Sequence, residues 1–225
     1  MKRNSSAAFT LIELLVVISI IAVLAGIALP VYTSVQERGA QTKDLSNAKQ
    51  IALGCKLFAA DNDGKFPAVA ATATANDALA LLLPQYVPTE KIFYLGKSAW
   101  TPNLPDEVFG TTTSGATPTS TTLAAGENNY AYVNNLTETS NPNFPLLADG
   151  FVSSTPGTYT NDETQKGGVW KGNKAIVIRT DASGNIEKCN SSYKVIGKTG
   201  SATEADIFAS SDTWLAASQV PLNPK

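Results

Sequence analysis

The 225-residue chain contains no histidine. That absence excludes Ser-His-Asp and Cys-His catalysis and any histidine-ligated zinc. Its two cysteines, Cys55 and Cys189, are too few for a four-thiolate metal centre. Basic residues are not in surplus either. Lys and Arg number 17 against 19 Asp and Glu, so the formal charge is −2 and no cationic face for nucleic acid is expected. No phosphate-binding glycine loop and no nucleophile–base pair stand out, so nothing nominates an enzyme. Charge is also missing from one particular stretch: after Glu13 there is no Asp, Glu, Lys or Arg until Glu37.

What occupies that stretch is an apolar run from Phe9 to about Val35, long enough to span a bilayer. A short leader bearing Lys2 and Arg3 precedes it, which places the N-terminus in the cytoplasm and the rest of the chain across the membrane. Glu13 sits inside the run. An ionised group in an apolar span is expensive and marks a functional position. A secretory signal would place a small-residue cut after its apolar core, and Ala25-Gly26-Ile27-Ala28 imitates one. The apolar run continues beyond that point, and a plain anchor has no use for Glu13. With 43% hydrophobic residues, the remainder can form a globular core of one or two domains.

The motif Ala8-Phe9-Thr10-Leu11-Ile12-Glu13, with Pro30 further on, resembles the class III signal of type IV prepilins and type II secretion pseudopilins. That family usually has Gly where this chain has Ala8. The resemblance implies cleavage between Ala8 and Phe9 by a membrane prepilin peptidase, followed by methylation of the new amine. Glu13 is then the fifth mature residue and Pro30 the twenty-second. Loss of Lys2 and Arg3 leaves 15 basic against 19 acidic residues, a charge of −4. The implied fold is α+β and type IV pilin-like: a long N-terminal helix, membrane-spanning in its first half, packed on a small antiparallel sheet. The implied partners are further copies or other pilins, the peptidase, an inner-membrane assembly platform and the inner membrane itself. The implied location is the bacterial inner membrane, single-pass, with the head periplasmic, and later a pseudopilus or surface pilus. In a bundle of such helices, Glu13 of one subunit pairs with the Phe9 amine of the next. Burying either charge alone would cost several kcal/mol, so pairing sets the register.

Four segments follow: a leader over 1–8, an assembly helix over 9–35, an amphipathic half over 36–64 and a head over 65–225. The first helix is expected from Thr10 to about Ala60, with Pro30 removing one backbone hydrogen bond and kinking it. Leu45, Ala48, Ala52, Cys55 and Ala59 form an apolar stripe, and Gln36, Glu37, Lys43, Asp44, Asn47 and Lys49 the polar face. Asp61-Asn62-Asp63-Gly64 is a helix stop. The run from Leu57 to Pro67 resembles the junction of G-type major pseudopilins. Asp61-x-Asp63 imitates a calcium loop, but Thr72 stands where the twelfth ligand would be. Asn76-Asp77 is read as the cap of a short helix through Leu79–Leu83, stopped by Pro84. Residues 110–126 are Thr/Ser-rich and read as an exposed loop, with O-glycosylation as the sharper alternative. Strands are expected over 129–133, 168–170, 174–179, 185–189 and 193–196, and a last helix from Asp206 to Ala216. The hairpin around Thr180–Gly184 resembles that of some environmental pilin-like proteins, as does the run from Leu82 to Phe93.

Cys55 and Cys189 either pair, closing a loop worth ~4–5 kcal/mol on the chain-entropy model, or remain thiols with Cys55 acting as a small hydrophobe. The G-type resemblance implies Ca²⁺ in a late loop. Asp149, Asp162, Asp181 and Ser183 offer hard oxygens for it, although turn-capping is the commoner role of such Asp residues. The functional expectation is a filament subunit. A non-polymerising, membrane-tethered binding module is the alternative, with Trp100, Trp170 and Trp214 as a carbohydrate-stacking platform.

Overall fold

The computed structural model describes residues 10–109, 122–153, 155–198, 204–210 and 214–225. The leader, with the Ala8–Phe9 cut, lies outside the described residues, as do 110–121 of the Thr/Ser-rich run. Two compact units divide the chain, 1–42 and 43–225. Helix α1, Leu11–Asp61, contributes to both.

In the first unit α1 begins one residue after Thr10 and carries apolar side chains on all sides. Helical structure continues unbroken through Pro30, so the expected interruption is not a break in the helix. Thr33 Oγ1 donates to the Pro30 carbonyl at 3.0 Å, and Ser19 Oγ to the Val16 carbonyl at 2.7 Å. Each hydroxyl therefore serves its own helix and presents no orphan donor to apolar surroundings.

The second unit is the head. The C-terminal half of α1 buries Asp44, Ala48, Ile51, Ala52, Cys55 and Ala59, a stripe with the 3–4 spacing of one helical face. Asp44 belongs to that stripe, not to the polar face expected for it; its partners in the core explain the difference. The helix stops where expected. Gly64 N donates back to the Ala59 carbonyl at 2.9 Å, with Asp63 and Gly64 at φ 53° and 73°. Helix α2, Ala75–Leu79, continues as a 3₁₀ turn over Ala80–Leu82. Its cap is Thr74, whose N and Oγ1 both donate to Asp77 Oδ2, at 2.8 and 2.7 Å. Asn76, expected as a cap, is instead buried. It donates to the Leu123 and Ala124 carbonyls and accepts from Lys225 N, tying α2 to the C-terminus.

Five strands form an antiparallel sheet in the order β4-β3-β2-β1-β7: β1 Tyr130–Val133, β2 Pro145–Asp149, β3 Lys174–Arg179, β4 Gly184–Lys188 and β7 Pro221–Leu222. A separate pair joins β5 Ile196–Lys198 to β6 Glu204–Asp206. The β3–β4 hairpin closes as its turn chemistry predicts, Ser183 N donating to Asp181 Oδ1 at 2.8 Å. α1 packs close to Gly184, where a Cβ would lie 3.0 Å from Lys49 Cε and 3.1 Å from Leu45 Cδ1.

Several expectations need correction. The central strand β2 had not been anticipated. It opens on Pro145, and all five of its residues are buried, so it shows no polar–apolar alternation. Residues 168–170 are turn, with Lys171 N donating to the Gly168 carbonyl at 2.8 Å. Glu204–Asp206 is a strand, and no helix occurs among the described residues from 206 to 216. Thr122 and Leu123, at the end of the Thr/Ser-rich run, are buried. The predicted α+β architecture stands, with the second half of α1 on an antiparallel sheet.

Leu147 is fully buried at the centre of β2, whereas Ile186 on edge strand β4 is 37% exposed. Leu147→Ala is expected to lower unfolding free energy by ~2–5 kcal/mol. Ile186→Ala should cost about 1 kcal/mol or less in the same urea titrations.

Candidate functional site

The candidate site begins at the start of α1. Thr10 N and Thr10 Oγ1 both donate to Glu13 Oε2 at 2.8 Å, and Glu13 N donates back to Thr10 Oγ1 at 3.3 Å. This is a capping box, Thr-x-x-Glu, which satisfies two orphan donors of the first turn reciprocally. The motif is written in the sequence, so this second role of Glu13 was legible there. Both Thr10 donors fall on Oε2, and a carboxylate has about four acceptor positions, so capping leaves capacity on Oε1 for a further donor.

Beyond the cap, the apolar first half of α1 is exposed. Leu11, Ile12, Ile21, Val23, Leu24, Ile27, Leu29 and Val35 are each more than half exposed. The most apolar 18-residue window has mean hydropathy 2.9 and is not buried by the chain at all. It is therefore not a core helix of this chain's own fold. About 25 residues from Leu11 to Val35 extend ~37 Å, against a hydrocarbon thickness of ~30 Å. The Ala25–Ala28 stretch that imitates a signal-peptidase site lies inside the continuous helix.

In the head, α1 is fixed by a carboxyl pair. Asp44 and Asp149 are both wholly buried. Tyr130 Oη donates to Asp44 Oδ1 in a short hydrogen bond. Asp149 accepts from Trp170 Nε1 at 2.9 Å, Ile176 N at 2.8 Å and Asn129 Nδ2 at 3.0 Å. Asp44 Oδ2 has no other donor among the described residues. Burial, the Asp149 charge and the hydrogen bond to it push the Asp44 carboxyl well above the usual carboxylate range, against the pull of Tyr130. Burial also raises Asp149, but its contact with Asp44 and its three donors oppose that. Of the two, Asp44 is the carboxyl pushed further toward its protonated form, beside Asp149.

Of the residues offered for calcium, Asp149 is hydrogen-bonded within the core. Asp181 and Ser183 form the β3–β4 turn, and Asp162 Oδ1 accepts from Thr164 N and Oγ1 at 2.9 and 2.6 Å. These residues do not converge. A different acidic group does: one carboxylate oxygen each from Glu90, Asp106 and Glu127 lie within 4.8 Å of one another. Its members are far apart in sequence and no spacing announced them.

The cysteines are free thiols. Cys55 is buried on the helix and pushed above its usual range by burial, whereas Cys189 follows β4 at the sheet's edge, bridged to Val195. The disulfide considered as one option is not formed. The stacking platform is not assembled either. Trp100 and Trp170 are buried, each with its indole N–H bonded inside the head, to the Phe151 carbonyl and Asp149 respectively. Trp214 is half-buried, its ring edge against Gly197.

Compared with known families, residues 3–29 match the prokaryotic N-terminal methylation motif. No curated protein and no solved structure matches the chain.

Because Asp44 keeps its proton in the fold but loses it above about pH 4 when unfolded, its contribution is full below that pH. It declines as pH rises toward the raised folded value. Asp44→Asn retains a donor for Asp149 and an acceptor for Tyr130 without a titrating proton. The stability of the natural chain relative to Asp44→Asn is expected to fall from pH 5 to pH 8, by at most ~1.4 kcal/mol per pH unit. Paired denaturant titrations at the two pH values measure the difference.

Proposed function

We infer that this chain, which carries the N-terminal methylation motif of type IV prepilins and pseudopilins, is a structural subunit of a type IV pilus-like or type II secretion pseudopilus filament. The observation that carries this reading is the conjunction of that motif with a helix whose apolar surface the rest of the chain leaves bare. Before assembly, lipid covers that surface. In a filament, the same surfaces of neighbouring helices cover one another, exchanging side chain–lipid for side chain–side chain contact.

On this reading prepilin peptidase cuts between Ala8 and Phe9, and methylation follows on the Phe9 amine. Lys2 and Arg3 hold the leader on the cytoplasmic side, where the peptidase and the assembly platform work. Glu13 caps its own helix in the single subunit. In the filament it also accepts from the Phe9 amine of an adjacent copy, which neutralises both groups away from water. Pro30 withholds one N–H from the Gly26 carbonyl, a soft point where the helix can adjust during packing. The head sets surface chemistry and subunit contacts, with no catalytic role. The junction from Leu57 to Pro67, with the Asp63–Gly64 turn inside it, favours the G-type secretion group.

The test is made in the native host, with antibody to the head and mass measurement of the mature N-terminus. A mature chain beginning at methylated Phe9, and label on filaments sheared from the surface or on short envelope filaments, are expected. The first location identifies a pilus and the second a pseudopilus. Processed protein that remains wholly monomeric in the membrane fraction overturns the proposal. Glu13→Gln should still insert but lower filament yield by about tenfold or more, equivalent to ~1.4 kcal/mol or more per assembly step.

A further inference from the structure

We propose that Glu90, Asp106 and Glu127 form a binding site in the head for a hard divalent cation of the calcium class. The three carboxylates come from separate stretches. Glu90 opens the 3₁₀ turn Glu90–Ile92, Asp106 lies in the following loop, and Glu127 sits just ahead of β1. One oxygen from each falls within 4.8 Å of the others. Oxygens bound to one Ca²⁺ at ~2.3–2.6 Å are separated by at most ~5 Å, so that spacing suits a shared ion.

A second observation points to a missing ligand. Glu90 is completely buried, and its Oε1 has no hydrogen-bond partner. A buried, unpartnered carboxylate oxygen is costly. Glu127 is buried beside it, and Asp106 is exposed, leaving the cluster an open side. Each carboxylate is held from behind by one backbone N–H. Glu107 N donates to Glu90 Oε2 at 2.9 Å, Val108 N to Asp106 Oδ1 at 2.9 Å, and Ala124 N to Glu127 Oε2 at 2.7 Å. Such bonds orient the groups without supplying positive charge. Among the described residues, no Lys or Arg forms an ion pair with any of the three. The nearby Lys91 is 2.9 Å from Glu107 Oε2, and Glu107 also accepts from Thr89 Oγ1.

Burial pushes the Glu90 carboxyl up to about 7, the carboxylates of Glu127, Asp106 and Glu107 adding to the effect against the pull of the Glu107 N–H. A cation supplies the positive charge that three clustered carboxylates lack. All-oxygen donors, in a chain without histidine, suit a hard ion over zinc or copper. The remaining coordination positions fall to water or backbone oxygens. The site uses none of Asp149, Asp181 or Ser183 and lies ahead of the main sheet, so it is distinct from the late-loop reading.

The experiment uses the full chain in detergent micelles at pH 8, with Ca²⁺ as the probe in isothermal titration and thermal unfolding. One ion per chain and a rise in Tm, reversed by chelator, are expected. Glu90→Gln should fold and weaken Ca²⁺ binding by about tenfold or more, because it removes one of three ligand charges. Asp106→Asn, exposed and tolerant of change, serves if Glu90→Gln does not fold, and should weaken binding similarly. Asp181→Asn should leave binding unchanged. Failure of the folded natural chain to bind Ca²⁺ overturns the proposal, as does binding that Glu90→Gln and Asp106→Asn leave intact. Stabilisation by Glu90→Gln in a chain that ignores Ca²⁺ would identify a proton-holding cluster instead. These results are independent of filament formation.

Discussion

A single proton shared between two carboxyl groups governs how the helix seats on the head. Asp44 on α1 and Asp149 at the end of β2 are both buried, and two bare carboxylates at that spot would repel in a medium that screens them poorly. Burial and the neighbouring Asp149 favour the protonated form of Asp44, while Tyr130 Oη donates to Asp44 Oδ1. The Asp149 carboxylate then collects Trp170, Asn129 and the Ile176 N–H. One network thus joins α1 to β1, β2, β3 and the turn around Trp170. The stripe of Ala48, Ile51, Ala52 and Cys55 adds contact area but little direction. Small side chains permit sliding along a sheet, whereas the polar network is satisfied in one register only.

The helix answers to two environments. From Lys43 onward its buried stripe belongs to the head, and its position is set by specific partners. From Leu11 to Val35 it is apolar on all sides and is not buried by the described residues. Lipid and other copies of such a helix are chemically similar covers. Exchange between them is nearly balanced in hydrophobic energy, and the decision falls to the few polar groups present. Those groups are Glu13, Ser19, Tyr32, Thr33 and Ser34. The Ser19 and Thr33 hydroxyls bond to their own backbone and so have little to offer a neighbour. Glu13 differs, because its carboxylate keeps a charge that capping by Thr10 does not neutralise.

Much of this was legible in the sequence, where the signal was local. The bare apolar run, the Asp61–Gly64 stop and the β3–β4 hairpin each depend on neighbours a few residues away. What was not legible depends on distant partners. Asp44 reads as a polar-face residue because periodicity assigns polarity to solvent, and only Tyr130, 86 residues on, shows otherwise. Strand β2 is buried on both faces, so it lacks the alternation that identifies strands, and Pro145 at its start argues against one. The strand Glu204–Asp206 exists because Ile196–Lys198 pairs with it. Asp149 had the right chemistry for a metal and the wrong location, whereas Glu90 and Glu127 drew no notice because nothing near them in sequence is acidic in a metal-binding rhythm.

The head thus holds two acidic clusters with different solutions to the same problem. Asp44 and Asp149 are closed off from water and surrounded by donors from Tyr130, Trp170, Asn129 and the backbone. One proton completes that set, and a larger ion would have to displace these donors. Around Glu90, Asp106 and Glu127 the donors are three backbone amides, one per carboxylate, and the group opens on the side of exposed Asp106. A proton there satisfies one pair of oxygens and leaves the third carboxylate facing negative charge. A divalent ion engages all three at once and joins the Glu90 turn, the Asp106 loop and the approach to β1, a region with little regular structure of its own. Donor supply and access, more than the count of carboxylates, separate a buried acid pair from a cation site.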